Sequence, residues 1–399
     1  MCSRRTHPVT LYEATVTGVK GGGQHIAIYI FGLSGGGATR RTLTLAGGFA
    51  KCGHRVDLVV VDAEGPLAGK LPEGVRLVVL DSVLLRLAGR KRRRRIKASG
   101  FALARYLWRE RPDVLLSAAN HVHLTAVTAA RLSHAPVRVV LRVSNHLTES
   151  HIGGSERPRP YRLRFARYIY GRADAVITVS QGIAEDLVDH TSLSHDRVFA
   201  VMNPSYTPEI ETAAAAPLDH AWVAAGAPPL LLGVGRLAPA KDFATLLRAF
   251  ARVRAHRPAH LVILGEGRKR RSLEQLVLKL GIAADVELHG FVENPFAWMS
   301  RASLFVLSSA WEGSPGVLVE AMACGCPIVS TDCPSGPEEI LAGGRYGRLV
   351  PVGDDAALAE AIIQTLDAAI DREALRARAR EYDIDRAVER YLDVLLRGV

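Results

Sequence analysis

Residues 303–332 read SLFVLSSAWEGSPGVLVEAMACGCPIVSTD. Within 303–309, Leu304 to Leu307 are apolar along both alternating faces, as a strand covered on two sides must be. Gly313-Ser314-Pro315-Gly316 then interrupts any regular structure, because proline fixes φ and lacks a donor. Leu318, Glu320, Ala321, Met322 and Ala323 are good helix formers and place a helix over about 317–323. Residues 327–332 form a second apolar strand. Strand, turn, helix and strand in succession make a βαβ unit, and the helical crossover forces its strands to be parallel.

The same pattern extends both ways. Upstream apolar runs occur at 25–32, 55–62, 75–80, 113–118, 137–143, 175–180 and 198–203. Helix-like segments such as 38–53, 97–111 and 162–172 lie between them. Residues 204–228 hold several prolines and an alanine run, and read as a linker. The alternation resumes at 229–235, 260–267, 285–290, 303–309, 327–332 and 346–352, followed by two or three helices over 355–397. The fold class is therefore α/β, with two Rossmann-like doubly wound domains. Ligands of such sheets sit beyond the carboxyl ends of the strands, so a cleft between facing domains is the expected site.

Composition narrows the function. The chain has 399 residues, 48% hydrophobic and 23% charged, enough for two cores. It holds no run of eighteen apolar residues and no basic-then-apolar leader pattern; residues 1–24 read as a flexible leader. The cysteines are Cys2, Cys52, Cys324, Cys326 and Cys333. Their spacing suits small buried residues in a reducing compartment better than a zinc site. The net charge of +11 asks for an anionic partner. It concentrates in Arg90–Lys97 and in RPRPYRLRFARYIYGR at 157–172.

Every chemically suggestive motif follows a strand. GLSGGGATR (32–40) departs from the dinucleotide fingerprint, because Arg40 stands where its third glycine belongs, which argues against a dehydrogenase. GVGRLAPAKDF (233–243) places Arg236 and Lys241 five residues apart, a fork and a point charge suited to a diphosphate. Asp242 suits the cap of the next helix. LGEG (264–267) and HGFVEN (289–294) are tight turns at strand ends. Glu312 lies on the Gly-Ser-Pro-Gly turn and Glu320 about one turn into the helix. Amides around Gly316 to Leu318 are the free donors of a helix start. Two carboxylates for hydroxyls, with amides and cations for phosphates, fit a nucleotide sugar.

Glu312-x7-Glu320, the Arg236…Lys241 segment and the N-terminal glycine loop together resemble the retaining glycosyltransferases of family 4, of GT-B fold. The likeness covers about residues 25–395 and is similar to bacterial enzymes of lipopolysaccharide-core and exopolysaccharide synthesis. It implies an acceptor-binding domain over 25–204, a linker over 205–228 and a nucleotide-sugar domain over 229–380. A final helix within 381–399 would pack back on the first domain. Glu320 would accept hydrogen bonds from the ribose. Glu312, with the backbone from Gly313 and Ser314 through Gly316 and Val317 to Leu318, would hold the donor sugar. Arg236 and Lys241, at the Gly235 turn, would neutralise the leaving diphosphate, so that neither metal nor cofactor is needed. Gly36 and Gly37 would approach the same phosphates. The backbone of Phe291 or Val292 would read the base. The family places a histidine after the fifth strand; here Ser144 stands there, and either Asn145 or His146 takes the role. Glu338 and Glu339 read first as acids of a helix start.

The resemblance implies transfer of a hexose or N-acetylhexosamine from a nucleotide sugar, UDP in the first instance. The acceptor would be a lipid-linked or lipopolysaccharide/exopolysaccharide saccharide. The basic groups imply a cytoplasmic protein, peripheral on the anionic inner face of a membrane. They do not imply nucleic acid, for no basic helix carries a binding motif. A nucleotide-sugar epimerase of the same fold and a non-catalytic relative stand as alternatives.

Overall fold

The structure is a computed structural model that describes residues 23–34, 36–89, 91–148 and 160–399, the side chains of 160–162 excepted. Cys2, Gly35, Arg90, residues 157–159 and the leader up to residue 22 lie outside the described residues. The rest forms two compact units, one running to Pro204 and including Ile384–Val399, the other Ser205–Asp383.

In chain order the first unit contains β1 (His25–Gly32), α1 (Gly37–Lys51), β2 (Arg55–Asp62), β3 (Val75–Val79), α2 (Val83–Leu87) and α3 (Arg92–Glu110). There follow β4 (Val114–Ser117), α4 (His123–Ser133), β5 (Arg138–Val143), α5 (Pro160–Tyr170), β6 (Ala175–Thr178), α6 (Gln181–His190) and β7 (Val198–Ala200). The second unit continues with α7 (Glu209–Ala214), β8 (Leu230–Val234), α8 (Phe243–His256), β9 (His260–Leu264), α9 (Arg270–Lys279) and β10 (Val286–Gly290). It goes on through α10 (Phe296–Arg301), β11 (Leu304–Leu307), α11 (Gly316–Ala323), β12 (Ile328–Thr331) and α12 (Pro337–Ile340). It ends with β13 (Arg348–Val350), α13 (Asp355–Leu366) and α14 (Arg372–Arg380); α15 (Ile384–Leu395) returns to the first unit.

All strand pairs within these two sheets are parallel, in the orders β3-β2-β1-β4-β5-β6-β7 and β10-β9-β8-β11-β12-β13. Each thirteen-strand expectation from the sequence falls on one of these elements. Alternation along a strand feeds two cores. Ala27, Tyr29, Val59 and Val61 face one apolar layer; Ile26, Ile28, Ile30, Leu58 and Val60 face the other, which α15 closes with Val388, Tyr391 and Leu392. α1 accepts α15 closely only because residue 48 is glycine: a Cβ there would lie 2.2 Å from Val388 Cγ2. Arg142 of β5 is buried, and donates to Tyr391 Oη at 2.9 Å and to Asn203 Oδ1 at 2.5 Å.

Three expectations change. The stretch 205–228 is not a bare linker. It contains α7, whose Ala213 and Ala214 carbonyls accept from Asn294 Nδ2 and Ser300 Oγ, while Arg301 donates to the Ala216 carbonyl just beyond it, so the stretch is pinned to α10 and the loop before it. Asp242 sits at the N-cap of α8 with φ of 38°, but its carboxylate takes the Thr245 hydroxyl at 2.6 Å instead of a backbone amide. Cys52 is exposed, while Cys324, Cys326 and Cys333 are buried.

Asp57 of β2 is wholly buried and carries a charge. Its carboxylate accepts from Arg76 Nε at 2.7 Å, His25 Nε2 at 2.8 Å and Tyr106 Oη at 2.5 Å. Burial works to raise its pKa, but these donors hold it well below the ordinary carboxylate range. A group depressed in the folded state stabilises above its unfolded pKa and loses that contribution as pH falls toward the folded one. Removing one partner of such a cluster costs ~3–5 kcal/mol. Asp57→Asn is therefore expected to lower the unfolding free energy of the first unit by that amount at neutral pH. In urea titrations the gap between variant and wild type should close as pH drops below about 4.

Candidate active site

The carboxyl end of the second sheet is woven together through glycine. Gly235 follows β8 with φ of 157° and Gly265 follows β9 with φ of 141°. A Cβ on Gly265 would lie 2.0 Å from the Gly235 carbonyl oxygen, so no other residue lets these two strand ends approach. Gly265 N–H donates to the Gly290 carbonyl at 2.6 Å, and Gly235 N–H to the Leu264 carbonyl at 2.9 Å. This brings the LGEG and HGFVEN turns beside the Gly235 turn. Phe291 is exposed and Val292 half-buried at that edge.

Lys241 and Glu312 meet. Lys241 ends a 3₁₀ turn, Pro239–Lys241, after β8; Glu312 lies on the loop after β11, the neighbouring strand. Lys241 Nζ donates to Glu312 Oε1 at 2.5 Å, with side chains 20% and 15% exposed. The same oxygen accepts from Ser309 Oγ at 2.6 Å. Two further bonds fix the frame: Ser308 Oγ donates to the Lys241 carbonyl at 2.9 Å, and Ala310 N–H to the Ala240 carbonyl at 2.8 Å. Buried Ser309 is itself held, its carbonyl accepting from Thr331 Oγ1 at 2.7 Å. A Cβ on Gly235 would stand 3.0 Å from Lys241 Cε, so that glycine also clears the lysine's path. Arg236, next along the turn, is exposed.

α11 starts where the sequence places it. Glu320 is its fifth residue and is half-buried; Gly313, Gly316 and Leu318 are buried, Ser314 and Val317 half-buried. One donor needs correction: Leu318 N–H is already bonded to the Pro315 carbonyl at 2.9 Å, which leaves Gly316 and Val317 as the helix-start donors. The turn is braced from the next loop. Ser335 Oγ donates to the Gly313 carbonyl at 3.2 Å, and a Cβ on Gly336 would lie 2.5 Å from Pro315 Cδ. Glu338 and Glu339 occupy the first turn of α12. Cys333, buried beside this loop, has its thiol pushed up to about 12 by burial and by the nearby Glu312 charge. It is a packing residue here, not a nucleophile.

In the first unit Gly36 is the N-cap of α1 with φ of −75°, and Gly37 is its first residue; both are exposed, and a Cβ on either would meet nothing within 4 Å. The fold does not require glycine there. After β5, Asn145 is exposed, whereas His146 turns inward with Nδ1 3.5 Å from Asp186 Oδ2. Asp186 also accepts from Leu147 N–H at 2.6 Å and Thr148 Oγ1 at 2.5 Å. Burial tends to raise its pKa, but His146, Thr148 and the Leu147 amide keep it below the usual range. Ser144 N–H donates to Asn120 Oδ1 at 3.2 Å. The roles of Ser309, Ser308 and Ser335 were not visible in the sequence. Among the described residues no group of three or more His, Cys, Asp or Glu side chains is arranged to hold a metal.

Comparisons place this geometry among known proteins. Residues 35–204 match the family model described as Glycosyltransferase Family 4, and residues 228–368 the model described as Glycosyl transferases group 1. A Campylobacter jejuni protein named N-acetylgalactosamine-N,N'-diacetylbacillosaminyl-diphospho-undecaprenol 4-alpha-N-acetylgalactosaminyltransferase is 32% identical over 212 residues, 53% of this chain and 56% of that one. A second from Campylobacter jejuni, GalNAc-alpha-(1->4)-GalNAc-alpha-(1->3)-diNAcBac-PP-undecaprenol alpha-1,4-N-acetyl-D-galactosaminyltransferase, is 27% identical over 378 residues, 93% and 98% of the two chains. The chain spans about half the length of the first curated relatives it matches. The crystal structure of Anabaena Alr3699/HepE in complex with UDP and glucose aligns with TM-score 0.72 at 18% identity, over 93% of this chain and 99% of that one. That likeness concerns the fold, two Rossmann-like parallel-sheet domains of GT-B type.

The glycine contacts separate fold from chemistry. Gly265→Ala is expected to cost about 1–3 kcal/mol, because the added carbon meets backbone at a strained φ. Gly36→Ala and Gly37→Ala should change stability by no more than about 0.5 kcal/mol. Thermal unfolding of the three variants measures both.

Proposed function

We propose, on the premise that this chain belongs to glycosyltransferase family 4, that it transfers a sugar from a UDP-sugar to a lipid-linked or lipopolysaccharide-type saccharide acceptor. Configuration at the sugar's C1 is retained, and charge on the leaving group is met by side chains and amides rather than a metal. The observation that carries this reading is the Lys241–Glu312 pair beside the start of α11, at the ends of adjacent strands β8 and β11.

The chemistry follows from that arrangement. The bond from C1 to the diphosphate oxygen breaks, and its electron pair leaves with the diphosphate. Negative charge grows on that oxygen, where fixed donors stabilise the transition state most; each is worth ~3 kcal/mol. Lys241 and exposed Arg236 are the cations available to it. Lys241 is held in place before the ligand arrives, so little reorganisation is needed. Glu312 keeps its other oxygen for a sugar hydroxyl, and the Gly316 and Val317 amides serve the donor's oxygens. Glu320, one turn into α11, accepts from the ribose hydroxyls. The acceptor hydroxyl bonds to C1 on the face the diphosphate leaves, and its proton passes to the departing oxygen. No side chain is needed as nucleophile.

Two relatives named for diphospho-undecaprenol substrates support a lipid-linked acceptor. The Anabaena protein's complex with UDP and glucose supports a UDP donor. A surface-bound acceptor also supports a peripheral position at an anionic membrane. Among the described residues no helix is long and apolar enough to cross one.

Lys241→Ala and Glu320→Ala are expected to lower transfer at least about 100-fold, the loss of one preorganised contact, with the unfolding curve preserved. The readout is radiolabelled sugar appearing on an added polyprenol-diphosphate saccharide. Turnover within a few-fold of wild type in either variant overturns the mechanism. Label that stays on the nucleotide as an epimerised sugar would instead make the protein an isomerase. UDP should raise the unfolding temperature of the wild type and less so that of Lys241→Ala.

A further inference from the structure

α3 breaks the ordinary rule for the start of a helix. Lys91 is its N-cap, Arg92, Arg93, Arg94 and Arg95 form its first turn, and no acid stands among them. Cations at this end oppose the helix dipole. Arg95 is neutralised by Asp62 Oδ2 at 2.9 Å, and Arg92 reaches His121 Nε2 at 2.7 Å and covers the Phe31 ring at 4.8 Å. Arg93, Arg94 and Lys97 meet no carboxylate among the described residues.

The outer face of α3 continues the charge with aromatic residues. Arg94, Lys97, Phe101, Arg105 and Trp108 are all exposed, Phe101 by 65% and Trp108 by 61%. Their spacing of three, four, four and three keeps them within roughly 80° of the helix circumference, over about 21 Å of its length. The opposite face, Ile96, Leu103 and Leu107, is buried in the core. α2 packs beside α3, and Arg105 donates to the Asp81 carbonyl just ahead of it at 3.0 Å. α2 in turn leaves Val83 70% and Leu87 78% exposed, with Leu84 between them. Single exposed apolar side chains need no explanation, but a cluster on two adjoining helices, threaded by unpaired cations, does.

We propose that the α2–α3 surface of the first unit is a docking face for an anionic lipid bilayer. Phe101, Trp108, Val83 and Leu87 would enter the headgroup boundary, with Arg93, Arg94 and Lys97 against lipid phosphates. A helix in the membrane plane needs this combination: apolar and aromatic side chains for the interface, and basic ones for the anionic heads. The unpaired cations decide the occupant, since an uncharged apolar partner would leave them desolvated without compensation. The inference rests on the lipid-borne acceptor of the proposed reaction, whose reactive end lies at such a surface.

The test uses the full chain with vesicles of phosphatidylcholine containing phosphatidylglycerol, and with pure phosphatidylcholine. Wild type should sediment with the first and not the second. R93S/R94S/K97S should partition roughly 100-fold more weakly, and F101S/W108S at least about tenfold more weakly. Trp108 is the one tryptophan of the first unit's sequence, the others being Trp222, Trp298 and Trp311. A vesicle-induced blue shift of emission should therefore vanish in Trp108→Phe. Unchanged partition in both multiple variants overturns the proposal. So does a wild-type dimer that F101S/W108S dissolves, or binding to DNA that charge variants abolish without any vesicle-induced shift. UDP stabilisation is measured on the same samples. If it persists while vesicle binding fails, the docking face is wrong and the donor reading stands; if it is absent in wild type, the donor reading fails whatever the vesicles show.

Discussion

A parallel sheet covered by helices on both faces leaves its chemistry one location, the loops beyond the carboxyl ends of its strands. In the second unit this constraint positions the residues of the candidate site. β8 and β11 are neighbours although sixty-nine residues of chain separate the end of one from the start of the other, so the loops that follow them emerge side by side. Lys241 arrives on one loop and Glu312 on the other. Without that strand order the two side chains would have no reason to meet.

The ion pair adds little to stability. Exposed pairs contribute near zero to 1 kcal/mol, and a half-buried pair must offset its own desolvation. Its value lies in position. A lysine stem has four rotatable bonds and, left alone, samples many rotamers. Glu312 fixes the ammonium, Ser309 fixes Glu312, and Thr331 fixes Ser309. Each member therefore restricts the next, from the interior of the sheet outward. On the proposed reading, a diphosphate reaching this site would find a cation already placed. Gly235 suits this arrangement twice over, since its φ of 157° favours glycine and a Cβ there would press on the lysine stem.

What could be read from the sequence was local. Two-sided apolar runs located the strands, and the turn chemistry around Gly235 and Gly313–Gly316 located the loops. Both depend on residues within a few positions of one another. Contacts between distant segments were hidden. Nothing near Asp57 announces that Arg76 and Tyr106 will neutralise it, and nothing near Gly48 announces Val388. The alanine-rich stretch after Pro204 looked like a linker because its partners, Asn294, Ser300 and Arg301, lie some eighty residues further on. Ser309 was passed over for a related reason. A serine at a strand end has many uses, and only the fold shows that this one faces Glu312.

The first unit treats charge in two ways, and the difference separates folding from surface chemistry. Asp57 is buried and fully compensated, as a folding requirement demands; an unpaired charge there would cost several kcal/mol. The first turn of α3 is the opposite case. Its cations work against the helix dipole by a few tenths to 1 kcal/mol each, and most lack a compensating acid among the described residues. The helix survives because its other face buries Ile96, Leu103 and Leu107, whose burial contributes roughly 1.5–3 kcal/mol apiece. A sequence selected for stability alone would place acids at that end. The core therefore tolerates a local electrostatic penalty that the fold itself gains nothing from, and departures of this kind are where an interaction with something outside the chain is to be sought.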